Sequence, residues 1–512
     1  MKPIRFSDFQ TFDANFPTEI PQNHLSDTMN MVRRNDGMWE KRKGIVQFGE
    51  NVGSGEPIHS LFFWKTTGGD RYLTIGTDTD LYAYTEGSTY NDGTYASAKT
   101  LSSDNKWDAI VYRDILVLGN GVDVNQSSTD NSTFTDRGGA NTVKAQYLEV
   151  SNDYVSFSGI IAEPDAVYFS SGAPTSPWEY NGSNTKNLDI GNSDIITGTK
   201  ALGQNFITAK TRQTYTVLLA DLSSETLDFG GGTESNRSMV VTNRNNLYYA
   251  SKQGIYSLAK TQIGTNQIFA ASESDFVQPL YELTTDYGAI NGVYTYEDNY
   301  GLWSCQTSVG NITFVRHLHY DKPVWSYFYG INSNDWTIYI DDEGENHYLF
   351  ADSATDKIWE FGKGRSDNGA PILSVLSGKR DDFGSPGLGK YITYVDVYGY
   401  ISENAEWTLD LLKDDDKTPF DSVVINSSNI REDLFGGLGV EAIGTSPIGG
   451  LVQDVDDIPV YPFYARVPIG RTVEKLQWAL RNNQADVRTI LRSITVFIDG
   501  EPVDYYPTEF II

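Results

Sequence analysis

The chain is poor in the residues that carry most chemistry. It has one cysteine, Cys305, so neither an intramolecular disulfide nor a zinc site of paired cysteines is possible. Cys305 ends the strand-like run Gly301-Leu302-Trp303-Ser304-Cys305, where a buried small hydrophobe is expected rather than a nucleophile. Histidine is scarce as well: His24, His59, His317, His319 and His347. Of these, His317 and His319 are two residues apart and would share one face of a strand, but no third cysteine or histidine lies nearby, and a metal site is not expected. No run of about 18 apolar residues occurs, so no membrane insertion is expected. Met1 to Gln10 carries Lys2, Arg5 and Asp8 and no apolar core, which argues against a secretory leader and for synthesis in the cytoplasm.

Basic charge is also short. Against 68 Asp and Glu stand 39 Lys and Arg, a formal net charge of −29. Sequence-independent duplex binding depends on cations neutralising phosphates, so it is disfavoured. Two readings stay open: a highly soluble protein, or an acidic wall past which DNA slides without sticking. Catalytic signatures are missing too, whether a Gly-x-Ser-x-Gly elbow, a Walker loop or a His-Glu-x-x-His helix. The acidic groups Asp78, Asp80 and Asp454, Asp456, Asp457 lack the glycine and closing glutamate of an EF-hand and read as solvated turns. No catalytic, cofactor-binding or metal residue is assigned.

What is there repeats from end to end. A short aromatic and β-branched run, a turn, and another such run recur along 512 residues. Arg71-Tyr72-Leu73-Thr74-Ile75 precedes Leu81-Tyr82-Ala83-Tyr84, and Ala109-Ile110-Val111-Tyr112 precedes Ile115-Leu116-Val117-Leu118. Leu247-Tyr248-Tyr249 and His347-Tyr348-Leu349-Phe350 open two further pairs. Such side chains pack well on a pleated surface, and the Gly, Asp, Asn and Ser between them accept turn geometry. The expected class is all-β with no long helix.

Three regions are expected. Residues 1–55 read as an N-terminal arm, in which 23–32 is either a short helix or irregular. The arm holds a locally basic stretch, Arg33, Arg34, Lys41, Arg42 and Lys43, around the hairpin dipeptide Asp36-Gly37. That stretch is either a solvated strand pair or an assembly contact with an acidic neighbour or DNA. Residues 56–365 read as a β-propeller of short antiparallel blades, with about six meanders of roughly 40–50 residues; a pair of β-sandwiches is the alternative. Residues 366–512 read as a C-terminal antiparallel β-sandwich with long loops.

Three segments resemble one family: the tail hub, or packaged-DNA stabilisation, proteins of short-tailed bacteriophages and related propeller-containing tail nozzle proteins. The first is Ile20-Pro21-Gln22-Asn23 with Met29-Asn30-Met31-Val32 and Lys41-Arg42-Lys43-Gly44. The second runs from Ala166-Val167-Tyr168-Phe169-Ser170 and Pro177-Trp178-Glu179-Tyr180 to Leu202-Gly203-Gln204-Asn205-Phe206 and Thr214-Tyr215-Thr216-Val217. The third joins Asp382-Phe383-Gly384-Ser385-Pro386 to Val467-Pro468-Ile469-Gly470 and Leu491-Arg492-Ser493-Ile494-Thr495-Val496. The resemblance implies a structural virion protein in the tail, a hexameric ring below the portal and adaptor proteins. Such a ring extends the DNA channel, helps retain and deliver genomic DNA, and anchors tail spikes or fibres. It implies no enzyme and no cofactor. Insertions near 87–100 and 436–450 depart from the family and suggest an attachment role. A carbohydrate-binding or glycan-degrading propeller is the alternative, and a tail fibre or adhesin a third reading.

Overall fold

The computed structural model describes residues 2–7, 9–191, 193–219, 221–227, 231–243, 246–260, 268–426 and 458–504. The loop 436–450 and Asp454, Asp456 and Asp457 lie outside them. Strands dominate; the described helical pieces are Gln278–Tyr281 and the 3-10 turn Asn236–Ser238. The expected all-β class holds. The chain divides into two compact units, 47–315 with 330–361, and 1–46 with 316–329 and 362–512.

The first unit is a β-propeller. Its sheets follow the chain in order, starting at 58, 108, 147, 196, 240, 291 and 333; each is a meander of consecutive strands except the last, which takes Ile45–Gln47 as its fourth. That makes seven blades among the described residues rather than about six, because blades such as 108–137 and 196–227 are complete in short spans. Two-residue turns keep them short. In the hairpin that pairs Ser151 with Tyr154, the turn residues Asn152 and Asp153 both have positive φ, +47° and +63°. This turn type matches the right-handed twist of the strands it joins, and Asn and Asp enter it readily.

The innermost strands lie side by side, and Ser333–Ile340 returns to Ile58–Lys65 to close the circle. The core is therefore a series of seams. Leu61, Leu73 and Tyr84 of the first blade pack with Tyr339, Leu349 and Ile358 of the last. Leu148, Val155 and Phe157 pack with Ile110 and Val117 in the seam between the second and third blades. Each fully buried side chain of this size contributes roughly 1.5–3 kcal/mol.

The second unit is an antiparallel sandwich. One sheet holds Leu388–Ile401 between Tyr461–Val473 and Thr489–Asp504, extended by Lys2–Ser7, Trp39–Lys41 and Met31–Arg33. The other holds Leu25–Asp27, Ile372–Gly378, Leu476–Gln484, Trp407–Lys413 and Asp421–Ile425. Both sheets supply one core, which includes Phe6, Trp39, Leu376, Val395, Trp407, Trp478 and Ile494.

Residues 1–46 are thus not a separate arm. Their strands up to Trp39–Lys41 belong to the sandwich, while Ile45–Gln47 joins the sheet of the last blade; 23–32, open between helix and irregular chain in the sequence, contains the strand Leu25–Asp27 and enters a second one at Met31. The reason is burial: Phe6, Phe9, Leu25, Met31 and Trp39 need an apolar partner, and the strands after 362 provide it. The propeller is an insertion between two parts of one sandwich.

Candidate functional site

The basic stretch singled out in the sequence folds inward. Met31–Arg33 and Trp39–Lys41 form the expected strand pair around Gly37. Glu40 is buried, and its carboxylate accepts hydrogen bonds from Arg34 Nη1 at 2.7 Å, Arg365 Nη2 at 2.6 Å and Arg488 Nε at 2.6 Å. Burial pushes the Glu40 pKa up, but the charges of Arg365 and Arg488 outweigh it and hold the carboxyl below the usual range.

Lys41 donates to Asn482 Oδ1 at 2.8 Å, and burial, with Arg42 and Arg365 nearby, pushes its pKa down to about 8. Arg42 grips Asp367 with two bonds of 2.9 and 2.6 Å. Arg34 and Arg42 therefore spend their charge inside this unit, on Glu40 and Asp367, while Lys41 is turned in to amide oxygens. Arg33, stacked 4.3 Å from the Tyr320 ring centroid, and Lys43 are half-buried.

The other sequence candidates are structural as well. The strand ends at His317, so His317 and His319 do not share a strand face; their rings meet edge to face at 5.9 Å. His317 Nε2 bonds Ser326 Oγ at 3.0 Å, and burial beside His319 and Arg316 pushes its pKa well below the ordinary value. Cys305 is buried, which drives its thiol pKa upward. The insertion near 87–100 is part of the first blade: Thr94–Thr100 is its outer strand, and Tyr90 stacks on His347 at 3.8 Å. His347 lies between Glu360 Oε1 at 2.7 Å and Asp341 Oδ2 at 2.9 Å.

The site the sequence did not reveal is on the propeller axis. A cavity of about 360 Å³ is lined by Phe62, Asp108, Lys200, Arg237, Tyr294 and Trp336 among others. Two aspartates at the start of inner strands tie neighbouring blades together. Asp335 Oδ2 accepts the Leu61 amide at 2.7 Å, joining the last blade to the first. Asp108 Oδ2 accepts the Leu148 amide at 3.1 Å, joining the second to the third, and also Asn236 Nδ2 at 2.9 Å.

Arg237 projects from the 3-10 turn, forms an ion pair with Asp335, and donates to Trp107 O at 2.7 Å and Ser60 Oγ at 3.0 Å. The turn itself is held from both sides, because Asn236 Oδ1 accepts the Thr199 amide at 3.0 Å and Ser238 O accepts Trp303 Nε1 at 3.0 Å.

The remaining charges are also matched. Lys200 stands 3.4 Å from Glu149. Burial pulls the lysine pKa down, but Asp108 and Glu149 outweigh it and raise it; burial raises the Glu149 pKa. Lys106 donates to Asn334 O at 3.2 Å, and burial next to Arg237 pushes its pKa down to about 8. The arrangement neutralises itself and fastens blades. Nothing in the sequence singled it out; the one local mark it leaves is an aspartate beside a tryptophan at the start of an apolar strand, in Trp107-Asp108 and Asp335-Trp336.

No group of three or more metal-ligating side chains occurs among the described residues, and no described helix is long and apolar enough to cross a membrane. No family model matches the chain, and no curated protein does. Among solved structures the chain is similar to the Pan2 WD40 domain of Neurospora crassa, with 10% identity and a TM-score of 0.41, covering 65% of this chain and 97% of that one. It is also similar to the extracellular domain of a hybrid two-component system from B. thetaiotaomicron, at 10% identity and TM-score 0.42, over 69% of this chain and 43% of that one. A one-component-system extracellular domain from B. thetaiotaomicron matches at 11% identity and TM-score 0.43, over 82% of this chain and 59% of that one. The β-propeller is read from the order and closure of this chain's own sheets, not from these likenesses.

Proposed function

We propose that this chain is a non-enzymatic structural subunit that assembles into a closed ring in a bacteriophage tail, as a hub or nozzle below the portal and adaptor. The ring, a hexamer in the resembling family, extends the channel through which genomic DNA leaves and carries spikes or fibres at its rim. One observation supports this reading above the others: the axial aspartates Asp108 and Asp335 are spent on the backbones of neighbouring blades. Acid–base work needs a carboxyl group left to meet a substrate. A carboxylate that holds two blades in register serves rigidity instead. The net charge of −29 supports the same role, since an acidic wall offers a passing polyanion nothing to bind.

Mass photometry and negative-stain microscopy of the full-length protein, alone and with a portal–adaptor complex, test the proposal. Closed rings, or rings formed on the complex, are expected. A protein that stays monomeric and does not join the complex overturns it.

A further inference from the structure

The outward face of the six-stranded sheet has a composition unlike the rest of this acidic chain. Along Leu388–Ile401, the side chains of Ile392, Val395, Val397 and Ile401 enter the core, while Tyr394, Asp396, Tyr398 and Tyr400 stay partly exposed. A register shift between Ile392 and Tyr394 keeps this alternation in phase with both neighbouring strands. Those neighbours add Phe497 opposite Tyr394, Arg466 opposite Asp396, and Tyr464 opposite Tyr398.

The face is ordered without a partner. Arg466 lies 4.1 Å from the Tyr394 ring centroid and 5.5 Å from that of Phe497. Two bonds of 2.8 Å to Asp396 hold it there, and Tyr464 Oη donates to the same carboxylate at 2.6 Å. Arg492 is the extra residue of a second register shift, where Ser493 faces Tyr398 and Leu491 faces Gly399; it sits 5.6 Å from the Tyr398 ring. The bulge aims it outward. Arg5, opposite Thr495 on the adjoining strand, is exposed. Neither Arg5 nor Arg492 has an acidic partner among the described residues.

We infer that this face is the contact through which one copy of the chain receives the acidic surface of a second copy. Tyrosine, phenylalanine and arginine are the residues enriched at the centres of protein interfaces. Rings pre-set by stacking lose little freedom on docking. The occupant follows from charge: every copy carries −29, so cations left unpaired on this face meet a complementary surface on the next. Two different patches meeting head to tail close into a ring when the rotation allows. The inference rests on the ring-forming reading and assigns that ring one of its two surfaces.

The test uses the full-length chain with R5E/R492E and, separately, Y398S. Self-association is measured by mass photometry across a protein and salt series, and folding by thermal melting. Both substitutions lie on the solvent side, so melting should change little, while self-association weakens by about tenfold or more and loses its salt dependence. Rings that persist unchanged in both variants overturn this contact and leave the ring itself standing. A wild type that never self-associates overturns the ring, and the contact with it. A 30-nucleotide single strand bound by the wild type and released by R5E/R492E, with rings unaffected, assigns the face to nucleic acid and also overturns the inference.

Discussion

Glu40 and Arg488, 448 positions apart in the chain, meet at 2.6 Å inside the sandwich. The contact is possible because Trp39 and Glu40 pair with Leu491 and Ile490 on the final long strand. Chain on either side of the inserted propeller is thereby stitched into one sheet, with Arg365 donating to the same carboxylate oxygen. Removing that carboxylate's charge leaves buried guanidinium groups uncompensated. Glu40→Gln should destabilise the sandwich by about 3–5 kcal/mol. Urea unfolding followed by tryptophan fluorescence measures it, and a loss below about 1 kcal/mol would show that the cluster contributes little net stability.

The seam between the last and first blades depends on Asp335. Asp335→Ala strands the Leu61 amide and leaves Arg237, still bonded to Trp107 O and Ser60 Oγ, without its acidic partner. Each orphaned buried group costs about 1–3 kcal/mol or more. Hydrogen exchange in the segment 58–65 should accelerate in this variant while the sandwich strands keep their protection. Uniform protection across both units would refute the assignment.

Acid should loosen the same seam. Burial pushes the Asp341 pKa up, but the bonds from His347 and the Glu345 amide outweigh it, so the carboxyl titrates below its ordinary value. A carboxylate depressed in the folded state adds stability above its unfolded pKa, near 3.9, and that stability is lost as pH falls through the folded value. The melting temperature of Asp341→Asn should therefore lie below wild type at pH 7 and converge with it below about pH 3. Parallel curves at all pH values would contradict this.

A turn offers a gain. Arg113 and Asp114 link Tyr112 to Ile115 with φ of +48° and +65°. Left-handed backbone costs most L-residues roughly 1–2 kcal/mol, and asparagine tolerates it better. The exposed Arg113–Asp153 pair at 3.9 Å offsets little of that. Arg113→Asn should stabilise the chain by about 0.5–1 kcal/mol in chemical denaturation; a loss would show that the arginine's contact with Tyr112 matters more than its backbone strain.

Strand pairing was readable in the sequence wherever partners are neighbours. Leu73 faces Tyr84, Ile110 faces Val117, Leu247 faces Leu258 and Tyr348 faces Phe361, as the aromatic and β-branched runs with their polar turns predicted. The basic stretch around Trp39 showed the limit. Its hairpin was legible, but Glu40, Arg365 and Arg488 are far apart in the chain, and nothing local says that they share a buried site. The axial aspartates were opaque for the same reason, since Asp108 in a chain with 68 carboxylates looks like any other solvated acid.

Short-range preference, then, was enough to dictate an all-β chain of meanders with a buried lone thiol and a large negative charge. Alternation and turn chemistry act within a few residues, so one chain suffices to read them. Which strands close the sandwich, how many blades complete the circle, and which charges turn inward depended on the folded molecule. Those outcomes are set by burial and by ion pairs between residues hundreds of positions apart, energies that exist only once the chain has brought them together.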